Sequence, residues 1–185
     1  MLNIPEQKKL ILFGAMSAVS DPRKGFQELT KAFKAISMDN IELVIFGSSK
    51  PDNPIDFGFP AHYLGRFNDD ISLRVLYSAA DVMVTPSLQE NLSNVVMESI
   101  ACGTPVVAFN IGGNPDMIDH QKNGYLAKPY DTKDLAEGIK WILNYPYPDE
   151  LRNNARQKVL ENFEMTMVAE QYKSLYEGII NHENN

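Results

Sequence analysis

Short, continuous apolar runs alternate with amphipathic segments along most of the chain. The runs LILFGA (10–15), IELVIFG (41–47) and TPVVAFN (104–110) predict buried strands. The segments at 25–37 and 93–103 carry apolar residues at helical spacing and predict helices. Alternating strands and helices form parallel sheets through crossover connections, and strands that are apolar throughout are covered on both faces. The sequence therefore predicts an α/β fold, a Rossmann-like doubly wound parallel sheet with helices on both faces.

Further elements fit the same pattern. We expect strands at 61–67, 81–87 and 124–129, a helix at 71–80, and helices from residue 131 onward. Sheets of this kind bind ligands at the carboxyl ends of their strands, near the point where the strand order reverses. The candidate site segments are therefore the ones that follow strands: 14–25, 47–50, 65–67, 85–94 and 110–116.

Glu90 and Glu98 are separated by seven residues in SLQENLSNVVMES. Asn91 and Ser93 are good N-caps, so we expect Glu90 in a loop and a helix that begins near Ser93. The free N–H groups at a helix start attract anions, while carboxylates accept hydrogen bonds from hydroxyls. A ligand with hydroxyls on both sides of a phosphate, such as a nucleotide-sugar, suits this arrangement. The alternative is that Glu90 is an ordinary charged residue of a loop and Glu98 a surface residue of an amphipathic helix.

Arg23 and Lys24 follow the first predicted strand, at the start of a helix. Cations at a helix start oppose the helix dipole. The presence of Arg23 and Lys24 there is explained if both bind one anionic ligand. The alternative is a pair of solvated charges on a helix whose N-cap is Asp21 and whose first turn contains Pro22.

Charge and motif content exclude several classes of protein. The chain has 17 basic and 24 acidic residues, a net charge of −7, which disfavours nucleic-acid binding. No apolar run approaches the ~18 residues of a membrane span, so we expect a cytoplasmic protein that meets membranes peripherally at most. The sequence has no GxGxxG, no phosphate-loop motif and no Asp-x-Asp, and its three histidines are far apart. We therefore expect no metal site and no cofactor.

Three stretches together resemble a known family: FGAMSAVSDPRKGF, PSLQENLSNVVMESIACGTPVVAFNIGGNPDMI and NGYLAKPYDTKDLAEGI. They are similar to the carboxyl-terminal half of the retaining group 1 glycosyltransferases, which have the GT-B fold and a Glu-seven-residues-Glu motif. The likeness covers about residues 9–145. It implies one half of a GT-B architecture: an interdomain linker remnant at 1–8, a nucleotide-sugar-binding domain at 9–145, and C-terminal helices at 146–185 that pack on it.

The resemblance also implies roles for residues. Glu90 is the expected catalytic residue, which orients the donor sugar and stabilises positive charge at its anomeric carbon without acting as the nucleophile. Glu98 is expected to meet the ribose, and Lys24 the diphosphate. The predicted nucleotide and diphosphate contacts are Gly14, Arg23, Lys24, Gly65, Arg66, Leu92, Ser93, Asn94 and Glu98.

One family position differs here. The family usually has Gly-Arg after its first strand, whereas this chain has Gly14-Ala15. Either Arg23 replaces that arginine or one phosphate contact is lost.

The function implied by the resemblance is the donor half of a retaining, metal-independent glycosyltransferase of hexosyltransferase type, active in bacterial surface-glycan synthesis. Its substrate would be a nucleoside diphosphate sugar, and its partner an amino-terminal acceptor domain of the same polypeptide, without which this chain is expected to be inactive. Two alternatives stay open: a non-catalytic nucleotide-binding or scaffold module, and a sugar-nucleotide epimerase-like enzyme. Nucleotide binding separates the scaffold from both enzymes.

Overall fold

The computed structural model describes residues 7–14 and 20–183, with side chains described through residue 180. Within these residues the chain forms one six-stranded sheet with helices on both faces. The strands are β1 Lys9–Gly14, β2 Ile41–Phe46, β3 Ala61–Tyr63, β4 Val82–Thr85, β5 Val106–Phe109 and β6 Gly124–Ala127. The helices are α1 Phe26–Phe33, α2 Asp70–Ala79, α3 Asn94–Ala101, α4 Asn114–Met117, α5 Thr132–Leu143, α6 Pro148–Asn162 and α7 Met165–Glu183.

All neighbouring strands are parallel, in the order β3-β2-β1-β4-β5-β6. The chain moves outward from β1 to β3, then returns to the other side of β1 and moves outward again to β6. The order therefore reverses between β1 and β4, and their carboxyl ends, at Gly14 and Thr85, border the crevice where such folds bind ligands. The predicted fold class is confirmed.

The sheet is buried on both faces. Ile11 and Phe13 of β1 pack into the core on one face, with α1 and α5, while Leu12 packs into the core on the other, with α2, α3 and α6. Alternate strand residues point to opposite faces, so a strand covered on both sides is apolar at every position. This is the physical reason for the continuous apolar runs in the sequence.

Two short elements were not predicted from the sequence. Residues Pro22–Lys24 form a 3-10 helix that ends at Gly25, so α1 begins at Phe26. Residues Asn114–Met117 form the single turn of α4. Helix α1 ends at Phe33, earlier than predicted, because the N–H groups of Ala35 and Ile36 bond three residues back and tighten the chain.

The last two helices differ in burial. Helix α6 packs with α3 and buries Leu151, Ala155 and Val159. In α7, all side chains from 171 to 180 are exposed, including Tyr172 and Leu175. The proposed domain boundaries stay predictions, and most of the predicted linker, residues 1–6, lies outside the described residues.

Candidate functional site

A small pocket lies at the crevice between β1 and β4. It brings together three predicted nucleotide contacts, Gly14, Lys24 and Ser93, with the predicted catalytic residue Glu90. Its full lining is Phe13, Gly14, Lys24, Thr85, Ser87, Glu90, Ser93 and Val95. Four residues predicted from spacing and resemblance therefore converge at the strand ends.

Lys24 and Glu90 face each other in this pocket. The Lys24 Nζ lies 3.5 Å from the Glu90 Oε2, and their side chains are 29% and 13% exposed. The cation is therefore accessible from the crevice, while the carboxylate is largely enclosed. The long, flexible lysine stem allows its ammonium group to exchange this carboxylate for another anion.

The turn that carries Lys24 is built by its neighbours. Asp21 caps the 3-10 helix by accepting a hydrogen bond from the Arg23 N–H at 3.0 Å, and Pro22 occupies its first turn. Gly25 closes the turn at a φ of 74°, where a Cβ would lie 1.8 Å from the Pro86 carbonyl oxygen. Only glycine fits this close approach, which holds the lysine turn against the loop after β4.

The loop that carries Glu90 is fastened on both sides. On one side, the Leu88 N–H donates to the Arg23 carbonyl at 2.8 Å. On the other, the Gly113 N–H donates to the Asn91 carbonyl at 2.6 Å. A Cβ on Gly112, whose φ is 52°, would lie 2.1 Å from the Glu90 carbonyl oxygen. The glycine pair therefore allows close contact with the Glu90 backbone, a role that the sequence did not indicate.

Helix α3 begins beside Lys24 and Glu90. Ser93 occupies the N-cap position, as predicted, but its side chain makes no capping hydrogen bond among the described residues. The first N–H groups of a helix have no intrahelical acceptor, and no acidic residue stands in the first turn of α3 to compete for them. These N–H groups and the Lys24 ammonium form an anion-attracting mouth, with the Glu90 carboxylate at its edge.

Glu98 lies in α3 and lines a different pocket, of about 400 Å³, between α2, α3 and α6. Its Oε2 accepts a hydrogen bond from the Tyr77 hydroxyl at 2.8 Å. Burial, and then the nearby Glu98 carboxylate, raise the pKa of Tyr77 above its usual value, so the phenol keeps its proton. Tyr77 was not identified from the sequence, because 21 residues separate it from Glu98 and it looks like an ordinary apolar position of α2.

Arg23 is directed toward Asp21. Its Nη2 lies 2.8 Å from the Asp21 Oδ2 and its Nε 3.1 Å from the Asp21 Oδ1, with the Arg23 side chain 68% exposed. The hydrogen bond to Asp21 raises the pKa of Arg23, and the same bond lowers the pKa of Asp21. A phosphate contact by Arg23 stays a prediction and would compete with this ion pair. Ala15, which stands where the family usually has an arginine, lies outside the described residues.

The remaining predicted contacts surround the mouth at greater distance. The Gly65 carbonyl accepts from the Gly47 N–H at 2.7 Å, which ties together the loops after β2 and β3, and Arg66 beside it is exposed. Leu92 is 50% exposed and packs over Gly113, and Asn94, the first residue of α3, is exposed. Their roles as ligand contacts stay predictions.

The described residues bear on the predictions of no metal site and no membrane span. No group of three or more His, Cys, Asp or Glu in 7–14 and 20–183 is placed to hold a metal ion. In the same residues, no helix has the length and apolar character needed to cross a membrane. Metal independence and location stay predictions.

Comparison with known proteins decides the family. The model of the family described as "Glycosyl transferases group 1" matches residues 2–159. The chain belongs to this family. The resemblance inferred from the sequence motifs is thereby confirmed.

Relatives of the glycosyltransferase domain are about twice its length. It is 31% identical over 201 residues to D-inositol 3-phosphate glycosyltransferase of Corynebacterium glutamicum, covering 99% of this chain and 46% of that protein. Sucrose-phosphate synthase from Thermosynechococcus elongatus superposes with a TM-score of 0.80 at 30% identity, over 98% of this chain and 48% of that one. Anabaena HepE in complex with UDP-glucose has a TM-score of 0.74 at 21% identity, over 92% and 49%. The chain thus spans about half the length of these relatives, and its fold is one half of a GT-B architecture.

Proposed function

We propose that this chain is the donor-binding half of a retaining, metal-independent glycosyltransferase that uses a nucleoside diphosphate sugar. The observation that carries the proposal is the convergence of Lys24 and Glu90 at the start of α3, where a cation and free N–H groups face the same crevice. Similarity to the HepE protein, whose structure contains UDP-glucose, supports the same ligand class.

The groups at the mouth of α3 divide into two chemical roles. Lys24 and the first N–H groups of α3 bind the diphosphate and stabilise the charge that grows on it as its bond to the sugar breaks. Because these donors are already positive, the site can offset that charge without a metal ion. Arg23 adds to them only if it leaves Asp21.

The carboxylate of Glu90 performs the second role. It accepts hydrogen bonds from sugar hydroxyls and places negative charge near the anomeric carbon, where positive charge develops in the transition state. Its largely enclosed position beside Lys24, and the backbone bonds on both sides of its loop, keep it in place. Transfer with retention and a role in bacterial surface-glycan synthesis are parts of the proposal taken from the family resemblance. A cytoplasmic location is a further part, taken from the lengths of the apolar runs in the sequence.

Calorimetry with UDP, GDP and ADP, each with and without EDTA, tests the proposal. We expect at least one to bind in EDTA, and Lys24→Ala to weaken that binding by about tenfold or more, since a hydrogen bond to a charged group contributes about 1.5–3 kcal/mol. Lys31→Ala is the matched control, because Lys31 is an exposed lysine of α1 that pairs with Glu28. Binding that requires magnesium would contradict metal independence. Failure of all three nucleotides to bind would favour the scaffold alternative.

A further inference from the structure

Tyr77 is fixed in position at both its ring and its backbone. It is 1% exposed, and its ring packs edge-on against Phe46, with centroids 5.7 Å apart. Its carbonyl accepts a hydrogen bond from the Thr104 Oγ1 at 2.6 Å. The position of the phenol oxygen is therefore set by the core of the domain rather than by the surface.

The phenol holds a carboxylate that is open to solvent. The Tyr77 hydroxyl donates to the Glu98 Oε2 at 2.8 Å, and Glu98 is an exposed residue that lines the pocket of about 400 Å³. A buried phenol needs a partner, and phenylalanine would fill the same apolar space without one. A carboxylate accepts about four hydrogen bonds, so the bond from Tyr77 leaves Glu98 most of its capacity for a ligand.

We propose that Tyr77 is a positioning residue, which holds the Glu98 carboxylate in the orientation that accepts hydrogen bonds from the ribose hydroxyls of the donor nucleotide. The inference rests on the proposed function, because it assumes a nucleotide donor. An exposed glutamate on a helix normally samples several rotamers, and fixing it before binding removes an entropic cost from the bound state. Because burial keeps Tyr77 protonated, the phenol donates throughout the neutral pH range.

Tyr77→Phe tests the inference, because it removes one hydroxyl and retains the buried ring. The ligands are the tightest binder among UDP, GDP and ADP, and its 2′,3′-dideoxy counterpart. We expect the ribose nucleotide to bind about two- to tenfold more weakly to the variant, the range that one net hydrogen bond represents. Affinity for the dideoxy nucleotide should be unchanged, because it offers Glu98 no hydroxyl.

Tyr125→Phe is the matched control. The Tyr125 hydroxyl also donates to a carboxylate, the Asp134 Oδ1, at 2.8 Å, but between β6 and α5 and away from the pocket. We expect this variant to bind both nucleotides as the wild type does. In a Glu98→Gln background, Tyr77→Phe should have little further effect on affinity, since the two residues act as one unit.

Two outcomes would overturn the inference. The first is that Tyr77→Phe and the wild type bind the ribose nucleotide with equal affinity. The second is that Tyr77→Phe loses affinity equally for the ribose and dideoxy nucleotides, which would indicate a purely structural role. A wild type that binds no nucleotide would instead refute the proposed function itself. The wild-type measurement therefore distinguishes the two failures.

Discussion

Glu90 and Glu98 have different surroundings, although only seven residues separate them. Glu90 faces Lys24 in the crevice between β1 and β4, whereas Glu98 meets Tyr77 and opens to the pocket beside α2. A ligand across the mouth of α3 could therefore meet them with different parts of its structure. Their separate roles can be tested by removing one charge at a time.

Glu98→Gln is expected to weaken nucleoside diphosphate binding by about ten- to hundredfold, because a hydrogen bond that involves a charged group contributes about 1.5–3 kcal/mol. Glu90→Gln should leave that affinity nearly unchanged and weaken only the nucleotide-sugar. Calorimetry with UDP, UDP-glucose and UDP-N-acetylglucosamine measures both. Glu137→Gln, an exposed acid of α5, controls for loss of charge alone. The opposite order of effects would reverse the proposed orientation of the ligand.

Residue-level predictions from the sequence depended on short-range signals. Spacing and turn preferences indicated that Glu90 precedes a helix that begins near Ser93, and α3 begins at Asn94. They could not indicate that Glu98 meets Tyr77, because that contact depends on how α2 and α3 pack across 21 residues of sequence. Nor did they indicate that the Arg23 guanidinium is directed toward Asp21, since Arg23 also suited an anion site and Asp21 an N-cap.

At the scale of elements, the loop that carries Glu90 depends on the turn between β5 and α4. Gly112 lies against the Glu90 carbonyl, and Gly113 donates to the Asn91 carbonyl. From the sequence, this glycine pair could equally have been a ligand contact or an ordinary turn. The structural role of the glycine pair depends on the packing of its turn against the loop that carries Glu90. Packing between two loops leaves no periodic signal in the sequence.

Gly112→Ala is expected to destabilise the domain and displace the Glu90 loop. Its φ of 52° disfavours alanine by about 1–2 kcal/mol, and the added Cβ would meet the Glu90 carbonyl oxygen. Overpacking adds about 1–3 kcal/mol, and each kcal/mol lowers the melting temperature by about 2–4 °C in a domain of this size. Affinity for a nucleotide-sugar should fall more than affinity for its nucleoside diphosphate, because Glu90, the displaced residue, is the one that we propose contacts the sugar.

Gly58→Ala separates backbone strain from this contact. Gly58 has a φ of 81°, yet a Cβ there would meet nothing within 4 Å among the described residues. We expect Gly58→Ala to lower the melting temperature only by the amount that backbone strain causes. It should leave the affinities for the nucleotide-sugar and the nucleoside diphosphate unchanged. Equal effects of the two variants on melting and binding would show that the Gly112 contact with the Glu90 loop is unimportant.

At the scale of the whole molecule, the alternation of apolar and amphipathic runs predicted the fold class, because a sheet buried on both faces requires it. The order β3-β2-β1-β4-β5-β6 then places Gly14 beside the β4 end, where Lys24 and Glu90 meet. The exposed apolar side chains of α7, such as Leu175 and Ile179, were not foreseen, since their helical spacing is equally typical of a packed helix. Periodicity reports which face of a helix is apolar, not what covers it.

The 185-residue chain is expected to bind its donor without transferring the sugar. We propose that the described crevice binds the diphosphate and the donor sugar, and we assign the acceptor to the second half that the relatives, about twice as long, contain. Release of UDP from UDP-glucose, with and without added sugar acceptors, measures turnover. Glu90→Gln is the control for background hydrolysis, because it removes the proposed catalytic carboxylate and leaves Lys24 in place. If added acceptor accelerated UDP release by the wild-type chain but not by this variant, the acceptor site would have to lie within these residues, and the division of labour between two halves would be wrong.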